Sequence, residues 1–411
     1  MARNIVIVGG GAAGTFVAVH LACQARDATQ LTVVEPRERL AEGIAYGTND
    51  DAHLLNVPAD GMSAYEDDAL HFTRWAGGDA GDFVARSRYA GYLRDELYER
   101  LRANRNVAFR HVRDSVTVVE PDATYIETSQ GDSFAADAVV LALGNAPPAR
   151  PAWLDSFTAA RVVVDPWAPG ALDGLTAGSR VLCVGTGLTF VDIALTLARS
   201  GARVTGVSRH GLLPQVHATS GVTPSLPANL KSPVEVSRWI RSQPDWRAAF
   251  AALRPATQQL WRTFSHAQQS QFLRHARRYW DVHRHRMSAA VADELRRRIT
   301  DGAVEVVRGD ARALADSGDY DTIVLCTGPD DGALLRAAPL AALIARGTVC
   351  AGPHGMGIAT DADTGQVVDA RGGLVEGLYA MGTLRRGTLW ESTAVPEIRT
   401  ESCRLAALLL A

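Results

Sequence analysis

Gly9, Gly11 and Gly14 follow the apolar run IVIV and precede a stretch with helical spacing. In a strand–turn–helix unit the three have separate tasks. The first permits the tight turn, the second lets a pyrophosphate approach the backbone, and the third lets helix pack on strand, with the phosphates at the helix N-terminus. Glu35 closes the next apolar run, 21 residues after Gly14, where a carboxylate accepts both hydroxyls of a ribose. The set reads as a dinucleotide site; the bland reading is a tight turn with no ligand.

The pattern returns as VLCVGTGLTFVD, with Gly185 and Gly187 in place and Phe190 where a third glycine would stand. A phenyl ring must then fit between helix and strand. The following strand ends in Ser208-Arg209 instead of an acid. A carboxylate there would repel a 2′-phosphate, whereas Ser and Arg would hydrogen-bond and pair with it. The second site is therefore expected to take NADPH over NADH. Its plain alternatives are a ligand-free structural unit and an ordinary surface arginine at Arg209.

A basic run, WDVHRHRMS, places His283, Arg284, His285 and Arg286 at the end of a helical stretch. Histidines at i and i+2 point to different helix faces, so this pair is not expected to chelate a metal, and no metal site is expected elsewhere. The run is either a solvated helix end or a binder of an anionic substrate or of cofactor phosphates. His217 is a candidate for a cleft between domains or a structural histidine. Glu391 is either part of a helix start or an acid catalyst.

Bulk properties exclude several classes. Apolar residues make up 47% and charged residues 21% of 411, as in ordinary globular proteins, and the net charge of −3 offers nucleic acid no general attraction. The five cysteines are odd in number and contain no CxxC, against a disulfide scaffold, zinc ribbon, iron–sulfur site or redox pair. Cys183 and Cys326 lie in apolar strand-like runs and read as buried, inert thiols. Lys231 is the only lysine, so it alone could form a Schiff base. No apolar run approaches the roughly 20 residues of a membrane span, and glycines interrupt the N-terminal one; a cytoplasmic protein without membrane contact is expected.

The elements that must position these residues follow from periodicity. Strands are expected at 4–8, 30–35, 107–110, 116–120, 124–129 and 137–143, with helices at 12–24 and 89–103 and a loop over 43–62. The proline-rich stretch 145–153 reads as a linker. A second unit follows, with strands at 180–184, 203–207, 304–308 and 322–326, a helix at 189–199 and much helix within 215–300. The chain ends in short strands, turns and a helix at 400–410.

HLLNVPADGMSA (53–64), VGTGLTFVD (184–192), SRHGLLPQVH (208–217), QFLRHARRYWDVHRHR (271–286) and GTLWESTAVPEIR (387–399) span nearly the whole chain. With the order of parts, they resemble flavoproteins with two dinucleotide-binding domains, in particular a bacterial set of FAD/NAD(P)-binding proteins. More distantly the chain is similar to class B flavin monooxygenases and amino-acid N-hydroxylases. The resemblance implies an α/β fold with two Rossmann-like domains plus a helical segment. The FAD domain would be split into 1–150 and 331–411, around an NAD(P)H domain at 151–330 that carries a helical insertion at about 215–300. It puts Gly9, Gly11, Gly14 and Glu35 on FAD, Asn56 near the isoalloxazine ring and Gly382 beside the ribityl or phosphate part. Arg88, Gly144 and Thr393 are further FAD candidates, and Gly185, Gly187, Ser208 and Arg209 fall to NADPH. Asn56 is alternatively a turn former before Val57-Pro58. The stretch 378–402, again strand, glycine and helix start, could aim a helix dipole at the flavin and favour the anionic reduced form.

Electrons from such a flavin have three outlets. A disulfide is disfavoured by the missing CxxC, and a protein partner by the absence of a clear charged patch. Oxygen remains. A water-shielded reduced flavin can hold a hydroperoxide and pass one oxygen to a soft nucleophile. The expected protein is an NADPH-consuming FAD monooxygenase of a small amine or amino acid, with oxygen as co-substrate and Asn56, His217 and Arg284 as catalytic candidates. Arg284, Arg286, Arg385 and Arg386 could hold a carboxylate. A reductase or dehydrogenase acting on an organic acceptor, and a non-catalytic nucleotide-sensing or partner-binding protein, are the alternatives.

Overall fold

The structure, a computed structural model, describes residues 2–120, 122, 124–157 and 161–411. The chain forms two compact units. One contains the residues up to Asn145 together with Thr257–Thr263 and Asp331–Ala411; the other contains Ala146–Ala256 and Phe264–Asp330.

The first unit opens with β1 (Arg3–Val8), α1 (Ala12–Gln24) and β2 (Thr29–Val34), followed by α2 (Arg86–Ala103) and β3 (Val107–Val112). Strands β4 (Val116–Val119), β5 (Tyr125–Thr128) and β6 (Ser133–Ala135) form a small antiparallel sheet before β7 (Ala138–Leu141). The second unit carries β8 (Arg161–Val163), β9 (Arg180–Val184), α3 (Leu188–Arg199) and β10 (Arg203–Ser208). After these come the helical insertion, with α4 (Trp246–Leu253) and α5 (Arg277–Arg284), and then β11 (Val304–Arg308) and β12 (Thr322–Leu325). The chain returns to the first unit through β13 (Gln366–Val368), β14 (Leu374–Ala380) and a C-terminal helix, Val395–Leu410.

The main sheet of the first unit has the order β13-β14-β7-β1-β2-β3 and is parallel except at β13. Helix α1 is buried without a break from Gly14 to Ala22, as expected of a helix that is apolar all round. Phe16 and Leu21 of α1 share one core with Ile5 and Ile7 of β1, Tyr89 and Leu93 of α2, and Leu405 and Leu409 of the C-terminal helix. The segment Thr257–Thr263 adds a buried Trp261, whose indole N–H donates to Gly387 O at 3.1 Å and whose ring stacks on Trp390 at 5.1 Å.

The second unit has a fully parallel sheet, β11-β10-β9-β12-β8. Its faces separate by alternation along β9. Val181 and Cys183 meet Phe190 and Ile193 of α3, while Leu182 and Val184 meet Leu154, Ile323 and Ala315. A parallel sheet with both faces covered is the doubly wound arrangement. The α/β class and the two Rossmann-like sheets expected from the sequence are both present.

Three local expectations change. The 43–62 stretch is not all loop: it holds a helical turn, Gly43–Tyr46, and a 3-10 turn, Ala59–Gly61, and is tied down by the Leu55 N–H to Val84 O bond of 2.8 Å. The last helix begins at Val395, five residues before the expected start at Thr400, with Pro396 in its first turn. Proline lacks only an N–H that is unpaired there anyway. Helix α2 begins at Arg86 instead of Tyr89.

Candidate functional site

The first cradle is set by backbone crowding. Gly9 has φ +102°, its N–H donates to Val34 O at 2.8 Å, and a Cβ there would lie 2.3 Å from Ala142 O. A Cβ on Gly14 would lie 2.0 Å from Gly9 O, so only glycine lets α1 begin this close to the turn. Gly11 is the N-cap of α1 and supplies no side-chain cap; a Cβ there would meet only Gly43 Cα, at 3.8 Å. The first N–H groups of α1 thus open on a space without side chains, which suits a phosphate.

Glu35 stands just past β2 and is buried. Its Oε2 accepts from Gly10 N–H at 2.9 Å, and its Oε1 accepts from Arg37 N–H at 3.1 Å and pairs with the Arg37 guanidinium at 3.2 Å. Gly382 (φ +66°) approaches the first turn of α1 so closely that its Cβ would be 3.2 Å from Ala13 Cβ. Thr383 Oγ1 donates to Gly144 O at 2.6 Å. Gly9, Gly11, Gly14, Glu35, Gly144 and Gly382 therefore gather at the carboxyl ends of β1, β2, β7 and β14, the edge where such sheets bind ligands. The reading of the sequence passed over Thr383; the signal was a Gly-Thr pair directly after an apolar strand.

The other first-unit candidates have varied surroundings. Asn56 is half-buried between Leu55 and Pro58, in a loop also held by Arg86 Nε donating to Leu54 O at 3.0 Å. Arg88 is exposed; it donates to Ala76 O at 2.8 Å, at the end of the helix His71–Ala76, and lies over Trp75. Thr393 is exposed, two residues before the C-terminal helix. Glu391 is buried and lies outside that helix; its N–H donates to Gln258 Oε1 at 3.3 Å. Arg385 is not available to a substrate carboxylate. It is 2% exposed and is held by Glu401 at 2.7 Å and by the carbonyls of Asp361 and Ala362 at 3.1 and 2.8 Å. Arg386 forms an ion pair with Asp331 at 3.7 Å.

The second cradle repeats the first with one exchange. Gly185 has φ +105°, donates to Val207 O at 2.8 Å, and would place a Cβ 2.4 Å from Cys326 O. Gly187 caps α3 with open space around it. The fully buried Phe190 ring fits because the neighbouring strand carries Gly206, where a Cβ would lie 2.4 Å from the ring. The glycine that permits close helix–strand packing has moved to β10. This compensation was readable as the glycine within VTGVS and was missed.

Ser208 Oγ bonds Thr186 Oγ1 at 2.8 Å and accepts from Gly211 N–H at 3.0 Å, while Thr186 Oγ1 donates to Leu212 O at 2.6 Å. The Ser208 hydroxyl is thus built into the turn after β10, in addition to any ligand contact. Arg209 is exposed beside it. Arg308 ends β11 opposite Ser208, and Gly309 N–H donates to Ser208 O at 3.1 Å. Partial burial, then the charges of Arg278, Arg308 and Arg209, hold the His210 imidazole below its ordinary pKa. The charges of three arginines thus bear on one imidazole just past β10. The sequence pointed to Arg209; Arg308 was legible only once its strand was paired with β10, and Arg278 gave no signal.

His217 and Arg284 lie in or beside two paired segments: His217 N–H donates to Met287 O at 2.9 Å, and Val216 bridges Met287. His283 packs edge-on against Trp246 at 4.7 Å and stacks with Phe250 at 5.7 Å, with Nδ1 2.7 Å from Tyr279 O. Cys183 and Cys326 are buried free thiols. Among the described residues, no group of three or more His, Cys, Asp or Glu is placed to hold a metal ion, and no helix is long and apolar enough to cross a membrane.

Residues 6–146 match the FAD-NAD(P)-binding family. No curated protein sequence matches the chain. Among solved structures, a flavin-containing monooxygenase from Stenotrophomonas maltophilia is 16% identical with a TM-score of 0.57, covering 100% of this chain and 98% of that one. Ornithine hydroxylase from Pseudomonas aeruginosa is 14% identical with a TM-score of 0.57, over 100% and 99% of the two chains. L-lysine 6-monooxygenase from Pseudomonas syringae is 17% identical with a TM-score of 0.56, again over 100% and 99%. Likeness at such identities is a likeness of fold. Residues 6–146 are therefore similar to an FAD/NAD(P)-binding family, in a chain whose fold is like that of flavin monooxygenases of known structure.

Proposed function

We propose that the protein is an FAD-dependent, NADPH-consuming monooxygenase acting on a small amine or amino acid. The observation that carries the cofactor part of this reading is the opposite electrostatics of the two cradles. One strand end presents Glu35, and the other presents Arg209, whose charge bears on His210 with those of Arg308 and Arg278. A carboxylate suits ribose hydroxyls, and guanidinium groups suit a 2′-phosphate.

In this reading Gly9, Gly11, Gly14, Glu35, Gly144 and Gly382 hold FAD, and Gly185, Gly187 and Arg209 hold NADPH. Bound FAD would accept a hydride from NADPH and pass the electrons to oxygen. The protein's own part is to bind, orient and shield. Asn56, His217 and Arg284 are the candidates for contact with reacting groups. Oxygen as acceptor is supported by the likeness of fold to a flavin-containing monooxygenase, an ornithine hydroxylase and an L-lysine 6-monooxygenase and by a sequence without a CxxC thiol pair.

The test measures NADPH oxidation and oxygen uptake together on a panel of amines and amino acids. Substrate-stimulated uptake with an oxygenated product is expected. Equal turnover without oxygen would instead identify a reductase, and tight FAD without hydride transfer would identify a sensing or partner-binding protein.

A further inference from the structure

The helical insertion of the second unit gathers like charges. Segments 215–217 and 285–287 are tied by Met287 N–H to Gln215 O and His217 N–H to Met287 O, both 2.9 Å. Arg247, near the start of α4, donates from Nη2 to Val216 O at 3.0 Å. Its guanidinium lies 4.2 Å from the centre of the Trp246 ring, and the Arg286 guanidinium lies 5.9 Å from the same ring. Arg254 follows α4 and Arg284 ends α5. Burial first, then the charges of Arg284, Arg247 and Arg254, push the Arg286 guanidinium below its ordinary pKa. Asp245 acts in the opposite sense, but its carboxylate already caps α4, accepting from Arg247 N–H and Gly221 N–H at 2.8 Å each. The Nε atoms of Arg247 and Arg286 are buried without a hydrogen-bond partner.

Half-buried cations repel one another, and buried donors left unpaired cost free energy. A bound oxyanion offsets both, and the guanidinium fork matches carboxylate and phosphate alike. We propose that Arg247 and Arg286, gathered at the Trp246 ring, form a binding site for an oxyanion with two or more negative charges, carried by an organic polycarboxylate or by a phosphate group. Trp246 is its floor. This site is distinct from the arginines whose charges bear on His210. Arg278, which bears on His210, and Arg284, which bears on Arg286, lie on one helix, six residues and therefore about 9 Å apart along its axis. The proposal does not depend on the redox reading above.

The test uses the full-length, FAD-loaded protein at constant ionic strength, with citrate and inorganic pyrophosphate as probes and potassium chloride as control. Affinity is read by calorimetry and stability by thermal unfolding. At least one probe is expected to bind and to raise the unfolding temperature beyond the chloride control. Arg286→Gln and Arg247→Gln are each expected to weaken binding about tenfold or more, while Arg296→Gln, at an exposed arginine paired with Asp293, leaves it unchanged. Citrate alone would identify a carboxylate ligand, pyrophosphate alone a phosphate ligand, and both the shared chemistry. Without a probe, Arg286→Gln is expected to melt no lower than the wild type, because it removes a repelling charge. The proposal is overturned if neither probe exceeds chloride, if Arg286→Gln and Arg247→Gln both bind as well as the wild type, or if Arg296→Gln abolishes binding. A probe-free Arg286→Gln that melts several degrees lower would make the cluster a structural one.

Discussion

Arg209 and Arg308 reach the end of the second nucleotide strand from adjacent positions, one on the exposed turn and one on the next strand. On the proposed NADPH assignment a 2′-phosphate would feel both charges, whereas the 2′-hydroxyl of NADH would need neither. A charge-assisted hydrogen bond contributes about 1.5–3 kcal/mol. Arg209→Gln is therefore expected to raise KM for NADPH by about tenfold or more and KM for NADH by less than about twofold. Arg308→Gln should act in the same direction. Equal changes for both cofactors would remove the 2′-phosphate argument. A second residue-scale effect belongs to His20, buried in α1 with Nε2 unpaired and its pKa pushed down to about 4, chiefly by desolvation. Unfolded histidine titrates near about 6.5. Between these values the unfolded chain binds the extra proton, so stability falls as pH drops through the window, by about 3 kcal/mol in all. The urea midpoint should fall from pH 7 to pH 4.5, and less steeply in His20→Gln. A parallel fall in both proteins would assign the acid sensitivity elsewhere.

The packing of α3 on its sheet shows what a motif can and cannot say about an element. The strand–turn–helix motif of each unit was legible because strand period, turn glycines and helix period agree in one short stretch. How the Phe190 ring fits was not legible, because the glycine that accommodates it lies on another strand, and strand pairing is a tertiary fact. The same reason hid Arg385: its guanidinium partners, Glu401 and the carbonyls of Asp361 and Ala362, meet only in the folded chain. The early start of the C-terminal helix was obscured by Val395-Pro396, which reads as a turn although proline is at home in a first helical turn. Because Phe190 is fully buried, it cannot swing away from a new methyl group on Gly206. Gly206→Ala is expected to destabilise the second unit by about 1–3 kcal/mol through overpacking. Phe190→Leu in the same chain should recover part of that loss, so that the two changes are not additive. Additive losses in the unfolding midpoint would mean that ring and glycine do not share the space.

For the molecule as a whole, the proposed function gives two cradles of the same design different nucleotides and different tasks. That division can be tested without disturbing the fold, because each motif has one glycine with room around it. Gly11 and Gly187 have ordinary negative φ values and little or nothing near an added Cβ. Gly9, Gly14 and Gly185 would instead collide with backbone, so substitutions there would confuse folding with binding. A valine at position 11 or 187 fills the space a phosphate would take, at the N-terminus of α1 or α3. Gly11→Val is expected to purify without flavin colour while keeping its circular dichroism spectrum. Gly187→Val should remain yellow and be reduced normally by dithionite, yet lose about a hundredfold or more in its rate of reduction by NADPH, the scale on which small misplacements of bound groups slow reactions. Colour lost in Gly187→Val and kept in Gly11→Val would reverse the assignment of the two sites. Normal NADPH reduction of Gly187→Val would show that the second cradle does not deliver the hydride, and the electrons would then have to enter by another route.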